Sequence, residues 1–118
     1  MNVQRDPTAD ARRKQTIQLF LQRALEEIDE MRRGMAALSS GDARAWQALR
    51  MFAQRTADTA RSLELGILGA CARELAKLTD DQAAGATHDA HFCLLTNSAI
   101  EMVAIEINRL IGALDRTR

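Results

Sequence analysis

Residues 43–63 read ARAWQALRMFAQRTADTARSL. Trp46, Leu49, Ala53, Thr56, Ala60 and Leu63 recur there at steps of three and four, the spacing that lines one face of an α-helix. The outward side of the same helix carries Arg50, Met51, Gln54, Arg55, Asp58 and Arg61. Gln54 stands one residue past Ala53, beside the inward stripe rather than in it. An isolated helix of this kind is marginal in water, and its stripe must be covered by other helices.

Those helices are legible on either side. Ser39-Ser40-Gly41-Asp42 is a sharp break: Gly41 supplies the left-handed residue that ends a helix, and Asp42 caps the next. Upstream, Ile17, Phe20, Leu21, Ala24, Ile28, Met31, Met35 and Leu38 predict one helix from about Ala11 to Leu38, with Asp6-Pro7 as its start signal. Downstream, Glu64–Gly66 ends the central helix. A third helix is expected from about Gly66 to Leu78, with Ile67, Leu68, Cys71, Leu75 and Leu78 inward. Thr79-Asp80-Asp81-Gln82 resembles a capping box that opens a further turn stopping at Gly85. Thr87 is placed to cap a last helix from about His88 to Leu114, with Phe92, Leu95, Ala99, Met102, Val103, Ile107, Leu110 and Leu114 inward. Four amphipathic helices on short connections predict an all-α, antiparallel four-helix bundle over residues 11–118, behind a flexible N-terminus at 1–10.

Composition agrees and excludes several functions. A chain of 118 residues suits one domain with its own core. Hydrophobic residues make up 47% and charged residues 27%, the balance of an ordinary globular protein. Net charge is zero, so no overall field draws the chain to nucleic acid or an anionic membrane. No apolar run approaches the roughly 18 residues of a membrane span, and the polar start is no signal peptide. Cys71 and Cys93 lie in apolar helical contexts rather than a disulfide framework. The expectation is a reduced, cytoplasmic, bacterial-type protein.

Other chemistry is thinly represented. His88 and His91 share a helix face, but no third or fourth metal ligand accompanies them. Glu26, Glu27, Asp29 and Glu30 read as a solvated face rather than a catalytic carboxylate pair. The basic run Arg12–Lys14 reads as a solvated helix turn. There is no triad spacing and no phosphate-cradling Gly-rich loop. No cofactor, metal or catalytic residue is expected, and the protein is read as a non-enzyme.

The order of the pieces adds a resemblance. A Gly41-Asp42 turn, then ALRMFAQRTADTARSL, then GACARELAKL is similar to the histidine phosphotransfer (HPt) family of two-component signalling. That family reads as a Gly-Asp turn, a helical Ala-His-x-Leu-Lys-Gly-Ser-Ala, and a Leu- and Ala-rich helix with Cys and Glu-Leu. The resemblance spans about residues 15 to 114 and implies an antiparallel four-helix bundle. Ala53 matches the Ala before the family's histidine, and Gln54 falls on the histidine. Thr56 takes the apolar position, Ala57 the lysine, Asp58 the glycine, Thr59 the serine and Ala60 the following Ala. Gly66 falls a couple of residues later than the family's glycine.

The departures sit where the chemistry would be. A phosphotransfer histidine attacks through a neutral imidazole nitrogen, whereas the lone pair of the Gln54 amide is delocalised. Ala57 cannot neutralise phosphoryl oxygens as a lysine would. Asp58 fills the space that glycine leaves for an incoming receiver and adds a repulsive charge. The resemblance thus implies a degenerate adaptor that binds a response-regulator receiver domain, or a sensor histidine kinase, without carrying phosphate. Its docking residues are expected to be Arg50, Met51, Gln54, Arg55, Ala57, Asp58 and Arg61, with Arg23 or Glu27 at the rim. Met51 suits such a face as an adaptable apolar contact. The rival readings are a working phosphotransferase whose acceptor histidine has been replaced by Gln54, and a helical dimerisation or scaffold module. The expected state is a monomer or weak dimer.

Overall fold

The computed structural model describes residues 7–83 and 90–116. Five helices make up the described backbone: α1 Pro7–Arg33, α2 Met35–Ser39, α3 Ala43–Ser62, α4 Gly66–Ala83 and α5 Ala90–Arg116. The chain is therefore all-α among the described residues, and compatible with a helical bundle. Its radius of gyration is 16.4 Å, above the roughly 13–14 Å of a rounded domain of this length, because α1 and α5 are each 27 residues long. The loose start at Met1–Asp6, the stop at Gly85 and the cap at Thr87 lie outside the described residues.

Two turns end helices in the same way. Gly41 has φ 81°. Its N–H donates to the Leu38 carbonyl at 3.1 Å, while Asp42 N–H reaches back to Ala37 at 3.0 Å. This pair of bonds satisfies carbonyls left open at a helix C-terminus. Asp42 then caps α3, its side chain accepting from Arg44 N–H at 2.9 Å. After α3 the pattern repeats, with Glu64 N–H on Arg61 at 3.1 Å and Leu65 N–H on Ala60 at 2.8 Å. Here the left-handed residue is Glu64, with φ 61°, and not Gly66, which instead begins α4.

The first helix is not continuous to Leu38. Gly34, at φ −91° and ψ 7°, separates α1 from α2. Its N–H still donates to Glu30 and Met31, both at 3.0 Å, so the backbone stays bonded through the break. Glycine weakens a helix interior, yet Leu38 remains buried and Met31 and Met35 half-buried against the core. The apolar spacing runs through the interruption and conceals it. At α4 the opposite correction holds. Thr79 opens no new turn; α4 continues to Ala83, and the Thr79 hydroxyl donates to the Ala76 carbonyl at 2.7 Å.

The core joins Ile17, Leu21 and Ile28 of α1 with Leu49, Phe52 and Ala53 of α3, Leu68 and Leu75 of α4, and Ile100, Val103 and Ile107 of α5. Trp46 is buried, its indole N–H donating to the Leu38 carbonyl at 2.9 Å and its ring lying 5.7 Å from that of Phe92. Small residues let α3 and α4 approach: a methyl on Gly69 would stand 3.8 Å from Ala60 Cβ and 3.9 Å from the Ala57 carbonyl. Three residues expected inward are not. Ile67, Leu95 and Met102 are 61%, 44% and 57% exposed. The inward face of α5 is instead Thr96, Ile100, Val103, Ala104 and Ile107, with Glu106 also buried and held by Arg109 at 2.6 and 2.8 Å.

Candidate functional site

The middle of α3 has an inner and an outer side, and the two differ in chemistry. Ala53, Thr56 and Ala60 are buried, while Arg50, Met51, Gln54, Arg55, Asp58 and Arg61 are exposed. Gln54 occupies the outer side as its offset from the stripe predicts. At about 100° per residue, Met51, Gln54, Asp58 and Arg61 fall within one outward arc of the helix.

Two ion pairs bound this arc. Arg50 Nε lies 2.8 Å from Asp80 Oδ1 and ties the α4 side. Arg55 Nη2 lies 2.7 Å from Glu27 Oε2 and ties the α1 side. Arg23 reaches the same Glu27 at 3.7 Å. The two arginines are thus committed to neighbouring helices. Gln54, Asp58 and Arg61 make no side-chain hydrogen bond or ion pair among the described residues, so their polar groups are open to a partner. Met51, 57% exposed, is the apolar element of the face.

Ala57 does not belong to this surface. It is 8% exposed and turned toward α4, where its carbonyl faces Gly69. The reason is rotational: the residue three beyond Gln54 lies about 60° round the helix, enough to move it under α4. A long side chain such as lysine could climb out of that position, but a methyl group cannot.

On the α1 side the face opens into a cleft of about 240 Å³, lined by Phe20, Arg23, Ala24, Glu27, Arg55, Thr56 and Thr59. Thr56 is 3% exposed, and its hydroxyl makes no hydrogen bond among the described residues. Buried hydroxyls are normally satisfied, and Thr96 shows the usual solution, donating to Phe92 at 3.0 Å. Sequence reasoning placed Thr56 on the inward stripe but could not see that it is unpartnered, because that depends on the rotamer and on the neighbouring helix.

Elsewhere the chemistry is sparse. Among the described residues no cluster of three or more His, Cys, Asp or Glu is placed to hold a metal ion. His88 and the side chain of His91 lie outside the described residues. Cys71 and Cys93 are free and half-buried. Burial pushes the Cys71 thiol above its ordinary value, and the Glu106 charge adds to the shift, so Cys71 is poor in the nucleophilic thiolate. No helix among the described residues is long and apolar enough to cross a membrane. In comparisons with known proteins, no family model, curated protein or solved structure matches this chain.

Proposed function

We propose that this protein is a degenerate HPt-like adaptor, docking a response-regulator receiver domain or a sensor histidine kinase through the outer face of α3 without accepting its phosphoryl group. The observation that carries the reading is the exposure of Gln54 at the centre of α3, above buried Ala53 and Ala60. An amide stands where the resembling family presents its imidazole, and it has no free lone pair with which to attack phosphorus. The lysine position, Ala57, is buried and uncharged. The glycine position, Asp58, is exposed and anionic, opposing a phosphate.

The finer architecture belongs to the same proposal. Glu27 pairs with Arg55 and Arg13 with the end of α3, while Arg50 pairs with Asp80. Residue numbers rise on α1 as they fall on α3, and Asp80 meets Arg50 where Gly69 meets Ala60, so α4 runs against α3; α5 set antiparallel beside them completes the four-helix arrangement we propose. With Ala57 removed, the docking set is Arg50, Met51, Gln54, Arg55, Asp58 and Arg61. The face is small and mixed in charge, suited to a transient contact of modest affinity, in the cytoplasm where two-component relays operate.

The test uses a panel of receiver domains phosphorylated with a small labelled phosphodonor. Each is titrated with the unaltered chain and with Gln54→His. Binding without label transfer to the unaltered chain is expected, and Asp58→Arg or Met51→Arg should weaken it by about tenfold, or ~1.4 kcal/mol. Labelled protein recovered from the unaltered chain would overturn the adaptor reading. Transfer to Gln54→His alone would favour a relay protein that has lost its acceptor. Binding indifferent to both α3 substitutions would leave the scaffold reading in possession.

A further inference from the structure

We propose that two copies of this chain pair through the outer face of α5, antiparallel, about Ser98 and Ala99. The proposal concerns the side of the molecule formed by α4 and α5 and does not depend on what α3 binds.

The starting observation is that α5 is apolar on both sides. Its inner side carries Ile100, Val103, Ala104 and Ile107 in the core. Its outer side carries Leu94, Leu95, Met102 and Ile105, which are 64%, 44%, 57% and 63% exposed. These four and Ser98 fall within an arc of about 100°, the width of the apolar stripe by which a helix packs on a core. Helices apolar all round are ordinarily buried all round. Of the seven large hydrophobic residues exposed among the described residues, four belong to this one stripe. A groove of about 350 Å³ runs beside it between α4 and α5, with Cys71, Leu78 and Ala99 in its lining and Leu95 and Met102 on its edge.

The arrangement of the stripe identifies the occupant as a second copy. Leu95 and Met102 stand symmetrically about Ser98–Ala99, and Leu94 and Ile105 stand symmetrically about almost the same point. An antiparallel copy therefore brings Leu95 close to Met102 and, with its midpoint one residue away, Leu94 close to Ile105, apolar on apolar in both pairs. Ser98 and Ala99 at the centre are small enough for close approach. This is the self-complementarity that a twofold interface requires; an unrelated partner would impose no such symmetry. Charge agrees. On the α4 rim, Glu74 and Lys77 lie one turn apart, 3.6 Å from each other and 72% and 75% exposed. An antiparallel copy that lays α4 against α4 opposes Glu74 to Lys77 twice, whereas a parallel twofold copy carries α4 to the opposite flank and makes no such contact. The stripe is closed by Arg109, which Glu106 holds. With zero net charge, two copies meet without overall repulsion.

Sedimentation of the full chain from about 1 to 200 μM is expected to show a reversible monomer–dimer equilibrium with Kd on the order of 10 μM, as suits a small interface. Met102→Glu should raise that Kd by at least about tenfold, and Met51→Arg on α3 should leave it unchanged. Glu74→Lys and Lys77→Glu should each weaken the homodimer by about threefold, while an equimolar mixture of the two single variants pairs as tightly as the parent, a recovery that the pair within each chain cannot produce. Ser98→Cys should cross-link to a covalent dimer under mild oxidation faster than the unaltered chain with its native cysteines. A monomer throughout the concentration range, or a dimer indifferent to Met102→Glu, would overturn the proposal. Failure of the mixed variants to recover pairing would overturn the antiparallel register.

Discussion

Arg55 Nη2 lies 2.7 Å from Glu27 Oε2, joining α3 to α1 across the cleft in which the Thr56 hydroxyl is buried. The pair holds the α1 edge of the candidate docking face, and it does so at its surface: the arginine is 59% exposed and the glutamate 26%. Solvent screens such a contact. A double-mutant cycle on Arg55→Ala and Glu27→Ala should give a coupling of about 0.5–1 kcal/mol that shrinks in 1 M salt, read by urea unfolding.

Thr56 invites a simpler substitution. Its hydroxyl is buried without a partner among the described residues, so Thr56→Val removes a desolvation cost while keeping the shape. The variant should be as stable as the parent or more so, by up to about 1 kcal/mol in urea unfolding. Thr96→Val is the control. Thr96 donates to the Phe92 carbonyl, and that change should cost about 0.5–1.5 kcal/mol. A large loss at Thr56 would mean that its hydroxyl is satisfied after all.

The two left-handed residues should respond in opposite directions. Glu64, at φ 61°, carries a side chain where glycine is cheapest, so Glu64→Gly should raise stability by about 1 kcal/mol. The contact it gives up, to Arg13 at 3.8 Å, is weak. Gly41, at φ 81°, should lose about 1 kcal/mol or more on change to Ala. Thermal unfolding of both variants would check the pair, and equal signs would contradict the turn geometry.

The α1–α5 contact sets an acid limb. Arg32 grips Glu101 with bonds of 2.9 and 2.8 Å. That hydrogen bonding, chiefly, holds the Glu101 carboxyl below its ordinary 4.5, against a smaller desolvation effect. A carboxylate whose folded pKa lies below its unfolded value stabilises the fold above the unfolded value. That contribution is lost as pH falls through the folded value. Both side chains are about two-fifths exposed, so screening limits the effect. Glu101→Gln should therefore lose no more than about 1 kcal/mol at neutral pH, and its stability should converge on that of the parent as pH falls through the lowered folded-state value of the carboxyl.

Trp46 ties α3 to α2 and to α5. Its N–H reaches Leu38 and its ring meets Phe92. Trp46→Phe should remove one of the two donors to the Leu38 carbonyl, which keeps the Gly41 N–H, and cost about 0.5–1.5 kcal/mol, followed by circular dichroism since the tryptophan reporter is gone.

Several features of this molecule were readable one residue at a time. The Gly41–Asp42 turn, the inward set Trp46, Leu49, Ala53, Thr56 and Ala60, and the outward position of Gln54 all follow from helix geometry and turn chemistry within a few residues. What misled was equally local. Gly34 breaks the first helix while the apolar spacing continues across it. Thr79 matches a capping pattern but lies inside a helix whose own carbonyl satisfies its hydroxyl.

The sequence by itself determined that the chain is helical, where its sharpest turn lies, and that an amide faces outward in the middle of α3. Only the tertiary structure decided that Ala57 lies beneath α4, that Glu64 rather than Gly66 takes the left-handed turn, and which side of α5 meets the core. The physical reason is that periodicity reports a face only when the opposite face is polar. On α5 apolar residues ring the helix, so the choice falls to the shapes of α1 and α4 packed against it, and leaves Leu94, Leu95, Met102 and Ile105 in the open.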